Sequence, residues 1–391
     1  MNIPKTAEKY SDYVIACRRR IHENPEISGK EYMTSAFVRE ELDKIGVPYV
    51  MCGLETGILA TIRGGKPGKT ILLRADMDAL TVTEENDLDF KSKNDGVMHA
   101  CGHDGHTAML LTAAHILNDV KDELAGTVKL AFQPAEEIAQ GADSMVENGA
   151  MENVDAVFAI HLWSGVPSGK ASCNAGPRMA SAAEFEIWVQ GKGGHGAEPH
   201  TCIDAVTCSA AIVSSLQTLV SREIRPIDAA VCTVGRMDVG SRWNVIADKG
   251  YLAGTTRAFG TKIYEQFPEK IERIARATAE AYRCTIDFKY TNMVRPTVNH
   301  PEMTTIAQDA IKKIYGPDGR FALDPTTGGE DFSAFIKAAP DHMGCLVFVG
   351  IGDEELGTNA PNHSPKFKID ESALLNGAAL YCQVAADYLE K

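Results

Sequence analysis

Short apolar runs separated by helix-length stretches constrain this chain more than any other feature. Gly57 to Ile62, Thr70 to Arg74, Thr127 to Gln133 and Ala156 to His161 read as strands. Residues 104–117 read as a helix between the second and third of them. Two further helices precede the first strand. Tyr10, Val14, Cys17 and Ile21 recur at helical spacing until Asn24-Pro25 stops the run, and Gly29 to Ile45 is closed by Gly46 and Pro48. Gly64-Gly65 and Pro67-Gly68 mark the turn between the first two strands. Apolar strands alternating with helices predict a mostly parallel sheet covered on both faces.

Near residue 183 the pattern changes. Ala183, Phe185, Ile187 and Val189 alternate with Glu184, Glu186, Trp188 and Gln190, which is a strand with one wet face. A helix near 203–220, strands near 229–235 and 249–258, a helix near 262–282 and a strand near 284–291 complete a β-α-β-β-α-β order, the ferredoxin-like unit. The α/β style then resumes, with helices near 301–315 and 370–389 around the strand Cys345 to Gly350. The fold class is therefore α/β, with residues 1–182 and 294–391 forming one domain and residues 183–293 an inserted α+β domain. A length of 391 residues agrees with two domains.

A net charge of −14 argues against nucleic acid as a partner, since phosphate backbones select basic surfaces. No apolar run is long enough to span a membrane. The stretch Met1 to Lys9 lacks an apolar signal core, so the expected compartment is the cytoplasm. The ten cysteines show no paired CxxC spacing, which predicts reduced, mostly buried thiols.

Cys101 stands apart because of its neighbours. The segment Met98-His99-Ala100-Cys101-Gly102-His103-Asp104-Gly105-His106 puts one thiol and three imidazoles at a strand-to-helix junction. A Cys-x-His pair in extended backbone can converge on one ion, and its donors suit Zn, Mn, Co or Ni better than Mg or Ca. Glu136-Glu137 follows the strand Thr127 to Gln133, at the end where α/β sheets place ligands. One carboxylate can bind a metal while the other handles protons. A bare Glu-Glu pair is more often a solvated loop; its position at a strand end argues otherwise. His161 ends another apolar strand, and His363 lies in the polar loop Asn362-His363-Ser364-Pro365. Each alone reads as an ordinary structural histidine. The Gly-rich run Gly191 to Ala197 lacks the Gly-Lys-Ser/Thr ending of a phosphate loop and reads as a mobile loop carrying His195.

The combination is more specific than its parts. Arg74 to Leu80, Met98 to His106, Gln133 to Glu137, His161-Leu162-Trp163, Gly191 to Ala197, Gly329-Glu330-Asp331-Phe332 and Asn362-His363-Ser364, in that order, resemble the aminoacylase/carboxypeptidase family of dinuclear metallopeptidases. Within it, the pattern is similar to the branch of hippurate hydrolases, N-acyl-amino-acid amidohydrolases, N-acetyldiaminopimelate deacetylases and auxin-conjugate amidohydrolases. The resemblance runs from about residue 10 to 389. It implies a catalytic domain with two divalent ions held by Cys101, His103, Glu137, His161 and His363, Cys101 bridging. It implies Glu136 as general base and acid, Asp78 as the residue that orients a metal ligand, and His195 as a contact to the substrate carbonyl in a partner subunit's site. Asn244 and Arg257 resemble the family's other inserted-domain substrate contacts, and the inserted domain implies a homodimer. Asp76 stands where the wider family has a metal-binding histidine. The implied reaction is hydrolysis of an N-acyl amino acid to a carboxylic acid and a free amino acid. A dipeptidase or carboxypeptidase on the same scaffold is the nearer alternative. A non-enzymatic metal- or peptide-binding protein is the more distant one, against which Glu136 argues.

Overall fold

A computed structural model describes all residues, Met1–Lys391. The chain divides into two compact units. The first comprises Met1–Arg178, Val298–Asp324 and Asp331–Lys391, and the second comprises Met179–Thr297 with Pro325–Glu330.

The first unit is built on a 7-stranded sheet. Its order is Tyr49–Met51, Ile58–Arg63, Ala125–Gln133, Lys66–Asp76, Ala156–Pro167, Gly344–Gly352 and Ala171–Ser172. The four strands from Ala125–Gln133 to Gly344–Gly352 are mutually parallel. Antiparallel pairs close both edges. The parallel heart has the apolar, double-buried character that helix-covered strands require. Ile71, Leu73 and Ala75 join the core that includes the helices His103–Asp119 and Ser372–Leu389. Leu72 and Arg74 alternate onto the opposite face.

The expected turn between the first two strands changes. Ile58–Arg63 and Lys66–Asp76 are not neighbours, because Ala125–Gln133 lies between them and pairs with both. Pro67-Gly68 is not a turn but lies inside the Lys66–Asp76 strand, where the register shifts between Lys66 and Thr70. A bulge of this kind is where a strand tolerates proline. The backbones crowd here: Gly126 has φ +73°, and a Cβ on it would stand 2.0 Å from the Lys69 carbonyl oxygen.

The second unit holds a 4-stranded antiparallel sheet in the order Ala230–Val239, Lys249–Ala258, Ala182–Gln190, Thr285–Val294. With the helices Ala205–Glu223 and Thr261–Ala281 between strands, this is the ferredoxin-like arrangement. Phe185, Ile187 and Val189 face the helices, packed with Ile212, Leu216, Phe267 and Ile271. All ten cysteines are free, and nine of them are buried. No helix is long and apolar enough to cross a membrane.

In the first unit, a buried ion pair fixes the helix that carries His103. Asp104 sits in its first turn. Its Oδ2 accepts from Arg18 Nε at 2.7 Å and lies 2.8 Å from His22 Nδ1, both from the helix Ser11–His22. Arg18→Ala would leave Asp104 without its cation in a dry site. The expected outcome is a loss of about 3–5 kcal/mol in unfolding stability. Urea titration followed by circular dichroism measures it, and a change below about 1 kcal/mol would show that the pair does not anchor this helix.

Candidate metal centre

The C-terminal ends of the parallel strands place the polar groups of the first unit. Lys66–Asp76 ends at Asp76, which is in register with Gln133 at the end of Ala125–Gln133. His161 lies on Ala156–Pro167, opposite Phe348. Two loops add the rest. Gly102, at φ +96°, turns the chain from Cys101 into the helix His103–Asp119. Ala135, at φ 53°, bends the chain out of the strand so that Glu136 and Glu137 follow. Gly141 closes this bend, since a Cβ there would overlap the Pro134 carbonyl.

Ligand-type atoms of Cys101, His103 and His161 lie within 4.8 Å of one another, and so do those of Cys101, Glu137 and His363. The two trios share Cys101. His103, Glu136 and Glu137 form a third group of the same compactness. Cys101 Sγ is 3.5 Å from His161 Nε2. Glu137 Oε1 is 3.8 Å from His103 Nε2 and 3.6 Å from His363 Nε2. The His363 loop is pinned against the Cys101 loop: His363 N donates to the Ala100 carbonyl at 2.7 Å, and Asn362 Nδ2 donates to the carbonyls of Cys101 and Leu162.

His103 and His161 each have one ring nitrogen committed to a main-chain oxygen. His103 Nδ1 donates to the Asp78 main-chain oxygen at 2.9 Å and lies 3.3 Å from Asp78 Oδ1. His161 Nδ1 donates to the Leu162 carbonyl at 2.8 Å. In both rings the Nε2 lone pair is therefore turned toward Cys101 and Glu137, the arrangement by which outer hydrogen bonds fix a ligand's tautomer. His103 Nε2 and Glu137 Oε1 are buried and have no hydrogen-bond partner. Orphaned buried polar atoms are costly unless a ligand satisfies them. A thiol, imidazoles and a carboxylate so oriented fit a pair of divalent cations.

The electrostatics agree. Burial pushes the Cys101 thiol well above its usual range, and Glu137 adds to this. Burial also lifts Glu137 to about 7, opposed by His103 and reinforced by Asp78 and Asp76. Burial and the neighbouring His106 hold His161 neutral. Donors this crowded bind a cation in preference to standing as bare anions.

Asp78, expected from the resemblance to orient a metal ligand, completes the setting together with Ser28, Glu31 and Thr56, to which the sequence assigned no role. Asp78 Oδ1 and Oδ2 accept the backbone N–H groups of Glu136 and Glu137, each at 3.1 Å, and Ser28 Oγ donates to Oδ2 at 2.6 Å. The buried Glu31 carboxylate accepts from Ala135 N at 3.0 Å, Gly29 N and Thr56 Oγ1. His106, counted in the sequence among the cluster, is fully used within the protein. Its Nδ1 donates to Asp76 Oδ1 at 2.6 Å and its Nε2 accepts from Leu162 N at 2.8 Å. Asp76 is likewise engaged, with Oδ2 taken by Arg74 Nη1 at 2.6 Å. Burial alone would raise Asp76, but Arg74, His103 and His106 hold it well below the usual carboxylate range. The buried His99 has no hydrogen-bond partner on either ring nitrogen, and nothing in the structure gives it a role.

In the second unit, His195 and Asn244 are brought together. His195 pairs with Val245 across a short antiparallel ladder, and Gly196 N donates to the Asn244 carbonyl at 2.9 Å. His195 Nδ1 accepts from Ala197 N at 3.1 Å, which puts the ring proton on an exposed Nε2. Arg257 stands on the Lys249–Ala258 strand opposite Val231, with Nη1 bonded to Thr255 Oγ1 and the Thr256 carbonyl.

Comparison with known proteins agrees with this geometry. Residues 72–387 match the model of Peptidase family M20/M25/M40. Thermostable carboxypeptidase 2 of Saccharolobus solfataricus is 42% identical over 389 residues, covering 98% of this chain and 97% of that one. IAA-amino acid hydrolase ILR1-like 2 of Arabidopsis thaliana is 41% identical over 384 residues, covering 97% and 86%. Among solved structures, a dinuclear metal-binding peptidase of the M20 family from Bacillus subtilis superposes with a TM-score of 0.85 at 33% identity, covering 98% and 99%. The chain belongs to Peptidase family M20/M25/M40 and is a metal-dependent hydrolase of amide bonds.

Proposed function

We propose that this protein hydrolyses the amide bond of N-acyl amino acids, releasing a carboxylic acid and a free amino acid. The observation that carries the reading is the side-by-side placement of Glu136 and Glu137, the second grouped with Cys101 and His363 and the first beside it with its main chain fixed by Asp78. The name of the plant relative supports an acyl-amino-acid substrate; the name of the archaeal one favours a second reading, a carboxypeptidase acting on peptide amides.

In this reading Cys101, His103, Glu137, His161 and His363 hold two divalent ions, with Cys101 shared. A thiolate among imidazoles favours Mn, Zn, Co or Ni over Mg or Ca. When bound, such ions supply Lewis acidity to the amide carbonyl and to water. Asp78 keeps the His103 ring in the ligating tautomer and holds the Glu136-Glu137 backbone. Glu136 takes a proton from the attacking water and delivers it to the leaving amine nitrogen. His195, reaching a partner subunit's site as the family resemblance implies, donates a hydrogen bond from Nε2 to the carbonyl oxygen as negative charge develops there. Asn244 and Arg257 contact the substrate, Arg257 being suited to a carboxylate.

A panel of hippurate, N-acetyl amino acids and dipeptides, assayed with Mn, Zn, Co and Ni, decides between the two readings; turnover confined to dipeptides would overturn the first. Glu136→Gln is expected to retain metal and lose about 10²- to 10⁴-fold in kcat; wild-type turnover would remove Glu136 from the proton-transfer role. Cys101→Ala should lower the metal content found by elemental analysis, and full occupancy would contradict its ligand role. His195→Ala should lose about 10²- to 10³-fold in kcat with metal content unchanged, as loss of an oxyanion donor does; an unaffected kcat would exclude that contact.

A further inference from the structure

Arg74 is 1% exposed, and its guanidinium is committed on three sides. Nη1 donates to Asp76 Oδ2 at 2.6 Å, Nη2 to Asp331 Oδ1 at 2.8 Å and Nε to Gln133 Oε1 at 2.7 Å. Gln133 then turns its amide Nε2 to both oxygens of Asp331, at 2.9 and 2.8 Å. Ala142 N adds a donor to Asp331 Oδ2 at 3.1 Å. Two buried carboxylates thus share one buried cation, and each carboxylate reaches a different part of the centre. Asp76 Oδ1 accepts from His106 Nδ1. Asp331 turns its own backbone N–H toward Glu136 Oε1, at 3.4 Å. A carboxylate oxygen of Asp331 also lies within 4.8 Å of one on Glu136.

We propose that Asp331 is a positioning residue for Glu136, held in place by Arg74 and Gln133. A carboxylate that moves a proton between water and a leaving nitrogen has to be aimed without being locked. A long bond from a main-chain N–H contributes to this aim, provided the N–H itself cannot drift. The side chain of Asp331 prevents the drift, because Arg74, Gln133 and Ala142 all fasten it. Arg74 also offsets part of the repulsion that a bare Asp331 would exert on Glu136 at this separation. Fixed polar surroundings of this kind are how small errors in the aim of a reacting group are avoided.

The inference rests on Glu136 being the proton-transferring carboxylate. The test compares Asp331→Asn and Gln133→Met with Asn299→Ala. Asn299 bonds to the main chain of Leu346 in the core and touches neither Asp331 nor Glu136. Each variant, loaded with Mn²⁺, is measured for thermal midpoint, manganese per chain, and kcat and KM on the amide turned over fastest in the panel above. The first two are expected to keep wild-type manganese and a KM within about 3-fold, while kcat falls about 10- to 100-fold. Asn299→Ala is expected to melt lower and keep its kcat. The proposal is overturned if Asp331→Asn keeps wild-type kcat, if its loss follows loss of manganese, or if Asn299→Ala loses kcat to the same degree. Should Asp331→Asn not fold, Gln133→Met decides, and an unchanged kcat there overturns the proposal. An inactive Glu136→Gln beside a fully active Asp331→Asn refutes this inference alone. Wild-type turnover by Glu136→Gln refutes the base assignment beneath it.

Discussion

The centre depends first on the buried carboxylate of Asp78. It stands just past the end of a parallel strand, 1% exposed, and gathers His103 Nδ1 and the backbone N–H groups of Glu136 and Glu137. These partners belong to separate segments, the start of the His103–Asp119 helix and the loop after Ala125–Gln133. One acceptor therefore sets the spacing between an imidazole and two carboxylates. Burial would raise its pKa, yet hydrogen bonds from His103, Ser28 and Glu137 N hold it below the usual range. A protonated acid in this position would offer fewer acceptor sites, and the loops would lose their common anchor.

Around that anchor the first unit concentrates charge where a core normally excludes it. Arg18, Arg74, Asp76, Asp104, His103 and His106 are all nearly inaccessible. Such groups persist in a dry interior only when each has a partner of opposite sign or a hydrogen bond. Arg18 answers Asp104, and Arg74 answers Asp76 and Asp331. Beside Asp78, His103 Nε2 and Glu137 Oε1 are left unsatisfied, and they face one another. The surrounding pairs hold these donors apart from each other and from water, which is the condition for presenting them to a cation.

Much of this was legible in the sequence because the patterns are local. The helix beginning next to His103, the strand ending at Gln133 and the β-α-β-β-α-β order each follow from residue spacing within a short window, whereas the strand carrying His161 runs on to Pro167 instead of ending at the histidine as its apolar run suggested. The turn expected at Pro67-Gly68 failed because a bulge, not a reversal, absorbs the proline there, and a bulge is decided by the neighbouring strand. The roles of Asp76 and His106 were also hidden. An Asp in Arg-x-Asp and a His in Asp-Gly-His both look like ligands from their types alone, and only their mutual bond at 2.6 Å shows that each is occupied by the other. Arg74 and Asp331 are 257 residues apart, so no local spacing connects them.

The sequence by itself determined the ingredients: the thiol and imidazoles around Cys101, the paired glutamates, the alternation that makes an α/β unit, and the change of period that makes a ferredoxin-like one. Periodicity and residue chemistry act over a turn of helix or a few residues of strand, so one dimension carries them. The tertiary structure decided which ingredients meet. Strand order places Ala125–Gln133 beside Lys66–Asp76 and so brings Gln133 level with Asp76. The docking of the Asn362-His363 loop on Cys101 brings a distant histidine to Glu137. Those meetings depend on long-range pairing and on which lone pairs are already taken, and both are properties of the packed chain.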